Sequence, residues 1–408
     1  METKSLYIHI PFCVSKCSYC DFYSIPIGNS NVGDFSCFSA YLKALKNEID
    51  FRLGYFNIKE LETIYIGGGT PSLLSVFQIN ELLDFIKSKC QVDENAEITL
   101  EANPQDISDE FLEELGKTSV NRLSVGIQCY NDSVLKLLNR RCDLAQVNFA
   151  LKSIYENWVL KGKSFSCDLI SGLPNLSKAD FLLGIEKVIS HGVNHISLYS
   201  LMIEEGTPLE KQISKEEVAY SEENNENQWI LGRDFLEEKG FYQYEVSNFA
   251  KTGFESRHNK VYWHIENYLG VGAGATGTVD FYRWTNAFNV EKYTEVWENE
   301  NPKTREKVKI PQEEENLSKK EKEFEFLMMG FRLRNGVRAS VYKSLFNEDL
   351  ALRLGYSGNG VEIKKSGVFD KWLLMKRAWV EVLPNDEMIF SLTKEGLLFL
   401  NQFLEEIL

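Results

Sequence analysis

Short runs of alternating apolar residues take turns with longer amphipathic stretches along most of this chain. That alternation leaves few folds open to it. In Leu6-Tyr7-Ile8-His9-Ile10, the residues Leu6, Ile8 and Ile10 share one face, the signature of a half-buried strand. Similar runs are Thr63–Ile66, Glu97–Glu101, Arg122–Gln128, Ser166–Ile170 and His195–Leu201. Helical stripes lie between them: Phe38, Tyr41, Leu42, Leu45, Ile49 and Leu53 form one, and Val147, Leu151, Ile154 and Trp158 another. Ser177 followed by Asp180 reads as a capping box opening a helix with Phe181, Ile185, Val188 and Ile189, and Gly192 and Gly240 suit helix C-termini. About six such units predict an α/β fold of parallel strands joined by right-handed crossovers. A complete eight-fold barrel is the weaker choice. The residues alone leave a partial barrel and an open doubly wound sheet both standing.

Charge narrows the partners. A net charge of −15 over 408 residues argues against broad nucleic-acid binding, which needs many cations facing phosphates. The eight cysteines are few for a disulfide framework, and three of them fall within one short loop. The N-terminus carries no secretory pattern and no apolar run approaches a bilayer span, so the expectation is a cytoplasmic protein that is not an integral membrane protein. Residues 1–297 read as the core domain. Residues 298–325 are densely charged and read as a linker or an exposed helix start. Residues 326–408 read as a small C-terminal helical, winged-helix-like domain, with a hairpin from Trp379 to Leu392 turning at Pro384-Asn385-Asp386. A final helix carries Leu397, Leu400, Phe403, Leu404 and Ile407. A winged helix often binds DNA, but the acidic balance sets that role aside here.

The strongest chemical signal is Cys13-Val-Ser-Lys-Cys17-Ser-Tyr-Cys20, directly after the first strand. Three thiolates on one tight loop can take three corners of a cubane iron–sulfur cluster and leave the fourth iron open. Structural zinc wants four ligands, and the spare candidates His9 and Cys37 lie at the wrong spacing. A dithiol pair Cys17/Cys20 would leave Cys13 without a role. Gly67-Gly68-Gly69-Thr70-Pro71-Ser72 follows the second strand; its glycines let the backbone approach a ligand. Taken alone a triple glycine is a weak signal, but it falls beside the cysteine loop.

These segments resemble the radical S-adenosylmethionine superfamily, in the branch of oxygen-independent coproporphyrinogen III oxidases and haem chaperones. Further segments agree in order: Leu100–Pro104, Ser124–Gln128, Leu138–Arg140, Asp168–Pro174, Glu204–Pro208, Tyr244–Phe249, His258–Trp263 and Gly330–Gly336. The resemblance implies a partial (β/α)6 TIM-like barrel. It implies that Cys13, Cys17 and Cys20 hold a [4Fe–4S] cluster whose open iron binds S-adenosyl-L-methionine. An external reductant would feed the cluster, and cleavage of the sulfonium would release methionine and a 5′-deoxyadenosyl radical. Carried over by motif, Tyr7, Gly68, Gly69, Thr70, Glu101, Gln128, Arg140 and Asp168 would line the cofactor pocket. Gln128 shares a strand face with Ser124 and Gly126, so a polar face can look inward while Leu123, Val125 and Ile127 meet helices. Taken singly, Arg140 beside Arg141 reads as a surface pair and Asp168 as a turn cap; their order in the matched set favours the cofactor.

The oxidases resemble CxxxCxxCxC, whereas this chain has Phe22 at the fourth cysteine position. With His258-Asn-Lys-Val-Tyr-Trp263, that pattern resembles the haem-chaperone group, which implies haem as cargo, acceptor haemoproteins (respiratory ones among them) as partners, and no oxidase activity. Radical chemistry itself stays open. His258 is a candidate haem contact, against a structural histidine as the alternative; Tyr262 and Trp263 would stack on a porphyrin or pack in a core. Asn139 and Cys142 depart from the family's Leu-Gly-Arg and following His; Cys142 reads as an ordinary thiol, as do Cys37, Cys90, Cys129 and Cys167. Three readings follow: a haem chaperone, a coproporphyrinogen III oxidase, and a radical S-adenosylmethionine enzyme modifying RNA, which the acidic charge disfavours.

Overall fold

The computed structural model describes residues 2–28, 36–298, 312–358 and 367–408. All six expected strands form. In chain order the first unit begins with β1 (Ser5–Ile10), the short β2 (Phe12–Cys13) and β3 (Ile25–Pro26), then α1 (Ser36–Tyr55), β4 (Glu60–Gly68) and α2 (Val76–Lys89). It continues through β5 (Gln91–Ala102), α3 (Asp109–Leu115), β6 (Arg122–Gln128), α4 (Asp132–Leu137), α5 (Leu144–Asn157), β7 (Ser164–Ser171), α6 (Lys178–Ser190) and β8 (His195–Ser200). After α7 (Pro208–Ser214) and α8 (Glu222–Glu238) the chain runs through β9 (Tyr242–Gln243), β10 (Asn248–Ala250) and α9 (Arg257–Trp263), whose residues are divided between the first unit and a second, to β11 (Leu269–Val271).

The sheet order is β11-β1-β4-β5-β6-β7-β8-β10-β9. From β1 to β8 every neighbour pair is parallel and the order never reverses. A doubly wound sheet needs a reversal, where its ligand crevice opens. Without one, right-handed crossovers place every helix on the same face, and the sheet curls towards a barrel. The alternation seen in the sequence is the division between those faces. Leu6, Ile8, Ile64, Ile66, Leu100, Leu123, Val125, Phe165, Leu169, Ile196 and Leu198 are buried in the cluster that also holds the α1 and α5 stripes. The other face carries Tyr7, Tyr65, Glu101, Ser124, Asp168 and Ser197. The apolar core therefore lies between strands and helices, and the concave side is polar.

One buried knot ties the start of this unit to its end, which adds β12 (Thr276–Val279), β13 (Tyr282–Asn286), α10 (Val290–Glu298) and β14 (Gln312–Asn316). Glu48 and Arg52 on α1 pair at 3.1 Å, both buried. The Glu48 carboxylate accepts from Gly272 N, Tyr293 Oη and Asn286 Nδ2. Arg52 donates to Gln312 and lies over the Trp284 ring at 4.2 Å. Of the expected 298–325 linker, residues 299–311 lie outside the described residues, as does the Cys37 side chain. Its other parts are structured: Gln312–Asn316 forms β14, and α11 (Lys319–Gly330) begins in a capping box between Ser318 and Glu321.

The second unit comprises Gln243–Asn248, Asn259–Glu266 and Asn316–Leu408. After α11 it runs through β15 (Val337–Arg338), α12 (Ala339–Phe346), α13 (Leu350–Leu354), α14 (Val368–Leu374), β16 (Ala378–Val382), β17 (Met388–Leu392), α15 (Lys394–Leu397) and α16 (Leu400–Ile407). The hairpin is antiparallel, with Asp386 at φ 60° in its turn. The expected last helix is two helices, because Leu398 and Phe399 break the run and leave Leu397 on the shorter one. Phe331, Phe369, Phe390, Phe403 and Trp372 pack edge to face at its centre.

Candidate metal and cofactor site

The cysteine loop leaves the C-terminal end of β1, where a parallel barrel gathers its chemistry. β2 and β3 pair at its two ends, with Ile27 N donating to Cys13 O at 2.8 Å. Inside the loop, Cys20 N turns back to Cys17 O at 3.2 Å. Distant chain fastens the rest. Ser18 N donates to Leu138 O, Leu209 N donates to Ser18 O, and Asn139 Nδ2 donates to Lys16 O, each at 2.9 Å. Asn139 takes this place at φ 54°, a left-handed conformation that favours glycine and that asparagine tolerates better than most residues. The departure Asn139 thus keeps the backbone shape and adds a bond.

Cys13, Cys17 and Cys20 are free thiols, partly exposed, and each sulfur has a donor. Thr70 Oγ1 reaches Cys13 Sγ at 3.4 Å. Arg140 Nη1 reaches Cys17 Sγ at 3.4 Å. The Phe22 backbone N–H serves Cys20, while the Phe22 side chain is 73% exposed. Burial pushes the Cys13 and Cys20 thiols up, so loading a metal there releases protons.

The three glycines that close and follow β4 are each needed, for different reasons. A Cβ on Gly67 would stand 2.7 Å from the Tyr65 ring, and one on Gly69 would stand 2.6 Å from the Phe12 carbonyl oxygen. Gly68 sits at φ 116° against the His9 ring. Its N–H donates to Glu101 Oε2 at 3.0 Å, and the other carboxylate oxygen accepts from Tyr65 Oη at 2.7 Å. Burial, with the Asp168 charge adding to it, raises Glu101 to about 7. Burial raises Asp168 to about 6 against the hydrogen bonds from Ser197 and Ser124.

Tyr7 stacks on Tyr65 and its hydroxyl lies 2.9 Å from His9 Nδ1. His9 Nε2 faces the Tyr23 carbonyl at 3.0 Å, so Nε2 carries the proton and Nδ1 accepts from Tyr7. Burial lowers that imidazole to about 4. Gln128 closes β6 at φ 70°, where the register against β7 slips between Gly126 and Gln128. The slip folds its amide over Gly126, 2.8 Å from where a Cβ would stand, and beside Arg140 Nη2. Arg140 donates to the Gly126 carbonyl at 2.6 Å, and its Nε is buried with no hydrogen-bond partner among the described residues.

Most of the expected residues therefore come together: Thr70 and Arg140 on the cysteines, Glu101 under Gly68, Gln128 beside Arg140, and Asp168 opposite Gly126 in register. An unpartnered buried guanidinium nitrogen suits a carboxylate, and two buried carboxylates suit an ammonium or a ribose hydroxyl. The side chains beside the loop suit an amino-acid-bearing nucleoside, while the three thiols, each with its own donor, are not drawn together into one metal-ligating group among the described residues. Cys142 is buried, with its thiol beside Arg140. His258 adjoins this group through Tyr65, whose hydroxyl donates to Glu101. It is 0% exposed, Thr63 Oγ1 lies 2.8 Å from its Nδ1, and its ring stacks on Tyr65. Glu97 fixes the turn before it by accepting from Ser256 Oγ and the N–H groups of Arg257 and His258. Asn103, absent from the sequence expectations, joins the Thr70 and Arg140 side chains. Its signal lay inside the Leu100–Pro104 segment.

The family model described as the Radical SAM superfamily matches residues 7–188. A heme chaperone HemW from Buchnera aphidicola subsp. Schizaphis graminum is 31% identical over 98% of this chain and 97% of its own length. The heme chaperone HemW of Escherichia coli is 36% identical over 68% of this chain and 70% of its own. The solved structure of coproporphyrinogen III oxidase (HemN) from Escherichia coli, a radical SAM enzyme, superposes with a TM-score of 0.78 at 21% identity, over 100% of this chain and 90% of that one. At that identity the likeness is one of fold.

Proposed function

The chain belongs to the radical SAM superfamily, in the family of the heme chaperone HemW proteins, and on that premise we propose that it binds haem and passes it to acceptor haemoproteins. The observation that carries this reading is the cysteine loop itself. It has three free thiols, each with a donor, and at the fourth cysteine position an exposed Phe22 instead of a sulfur.

Cys13, Cys17 and Cys20 would hold the [4Fe–4S] cluster that the family implies, and S-adenosylmethionine would lie over them. Arg140 would take its carboxylate through the free Nε, with Gln128 alongside. Glu101 and Asp168 would take the ammonium and ribose, and Gly68 and Gly69 would give the methionine part close passage along the backbone. When bound, the cluster supplies an electron to the sulfonium. The protein's own part is to orient the cofactor. Tyr7 and the neutral His9 hold each other without a titrating group in the physiological range.

Haem, the acceptor haemoproteins and a cytoplasmic setting form the finer part of the proposal. Among the described residues no helix is long and apolar enough to cross a membrane.

The test is anaerobic reconstitution of the full chain, offered haem and coproporphyrinogen III in parallel. The reading expects about four irons per chain, loss of the cluster spectrum in Cys17→Ala, stoichiometric haem uptake, and no vinyl product. Decarboxylation of the porphyrinogen without haem uptake would replace the chaperone with an oxidase. His258→Ala tests the haem contact: unchanged uptake assigns that buried ring to structure alone.

A further inference from the structure

Two of the three cysteine sulfurs receive their donors from side chains that a third side chain holds. Asn103 lies just past the end of β5. Its Nδ2 donates to Thr70 Oγ1 at 3.1 Å, and Thr70 in turn donates to Cys13 Sγ at 3.4 Å. Its Oδ1 accepts from Arg140 Nη2 at 2.7 Å, and Arg140 Nη1 donates to Cys17 Sγ at 3.4 Å. The amide orientation follows from chemistry, because a guanidinium has no acceptor and only the oxygen can face it.

Each link has one free choice and Asn103 removes it. A threonine hydroxyl rotates, and accepting from Asn103 directs its proton to the cysteine. An arginine is long, and the Asn103 oxygen with the Gly126 carbonyl fixes both lobes of Nη2, which leaves Nη1 for Cys17. Asn103 is itself fixed, its N–H donating to Ser72 Oγ at 3.2 Å and Ser72 donating to Asp106.

We propose that Asn103 is a positioning residue that couples the hydrogen bonds to Cys13 and Cys17, so that the two sulfurs are tuned together rather than separately. The inference rests on the reading that these cysteines hold a cluster. Donors aimed at cluster sulfurs stabilise the reduced, more negative state and raise its potential. Slackening Asn103 therefore lowers the potential at both corners at once.

The experiment is a redox titration of the reconstituted full chain without S-adenosylmethionine, followed by electron paramagnetic resonance of the reduced cluster, with iron counted in every sample. Iron content tests the underlying reading, and the potential tests the coupling. Asn103→Ala at full iron should titrate at a more negative potential than the parent chain. Thr70→Val should shift the parent in the same direction but less, and should add nothing in the Asn103→Ala background. Asn103→Asp keeps an acceptor for Arg140 and loses the donor to Thr70, so the Thr70→Val shift should vanish there too. This variant decides the matter if Asn103→Ala does not load. An unchanged potential in the loaded Asn103 variants, or a Thr70→Val shift of equal size in both backgrounds, overturns the proposal.

Discussion

The His9 ring occupies the space that a side chain on Gly68 would need, its Cε1 2.7 Å from the ideal Cβ position. The ring cannot step aside easily, since both its nitrogens are engaged by Tyr7 and Tyr23. Gly68→Ala should then cost more than the ~1 kcal/mol of conformational strain typical for this backbone region. Gly206→Ala, at φ 81° with nothing within 4 Å, is the control that carries strain alone. Denaturant unfolding should place Gly68→Ala well below Gly206→Ala, and equal losses would show that the ring gives way.

Asn139 should rank between two effects. Asn139→Ala keeps the left-handed backbone demand and loses the bond to Lys16, for a loss of about 2 kcal/mol. Asn139→Gly loses the bond but relaxes the backbone, so its loss should be under about 1 kcal/mol. Thermal melts in the order parent, glycine variant, alanine variant would bear this out. Both variants should also load iron more slowly, because the loop they fasten carries Cys17.

Glu101 gives the chain a pH signature. Burial raises it from 4.5 to about 7, so between those values the folded chain keeps a proton that the unfolded chain has released. Stability is full below the lower value and falls as pH rises through the upper one. Glu101→Gln should flatten that slope, with its stability relative to the parent rising by up to about 3 kcal/mol from pH 4 to pH 8. Asp168, raised to about 6, slopes the same way and should preserve part of the trend in the variant. Denaturant unfolding at several pH values reads this. The buried His9, His195 and His258, whose imidazoles burial lowers, slope the parent curve the other way, so the difference between variant and parent is the readout, and a difference that does not grow from pH 5 to pH 7 would contradict the raised Glu101.

Glu48 and Arg52 should be worth more together than apart. Arg52→Met leaves a buried carboxylate whose cation is gone, which costs about 3–5 kcal/mol. Adding Glu48→Gln removes the stranded charge and keeps acceptors for Gly272 and Tyr293. The double variant should unfold at higher denaturant than Arg52→Met alone.

The strands were legible because their period of two is also the division between an apolar and a polar face. Leu6 to Ile10 and Leu123 to Ile127 show it in the residues themselves, whereas the register slip that turns Gln128 back over Gly126 leaves no such trace. The cysteine loop could be read from its spacing. β2 and β3, two residues each, could not, since their pairing spans the loop and no local preference marks it. Asn103 was hidden for a related reason: its partners lie 33 and 37 residues away. Glu48 and Arg52 look in sequence like a solvated i,i+4 pair, and only the packing of β13 and α10 over α1 buries them. The unbroken strand order, which decides for a barrel over a doubly wound sheet, is a property of pairing that no single strand announces.

Ser18 is bonded on one side to the Leu137 and Leu138 carbonyls and on the other to the Leu209 amide, with its hydroxyl at 3.1 Å and its backbone at 2.9 Å. Those ties are made by polypeptide alone, and they come from segments that follow the loop in the chain by more than a hundred residues. The seat for the metal is therefore a late product of synthesis. If this loop holds the cluster, its full fastening exists only once the segments around Leu138 and Leu209 have been made and folded.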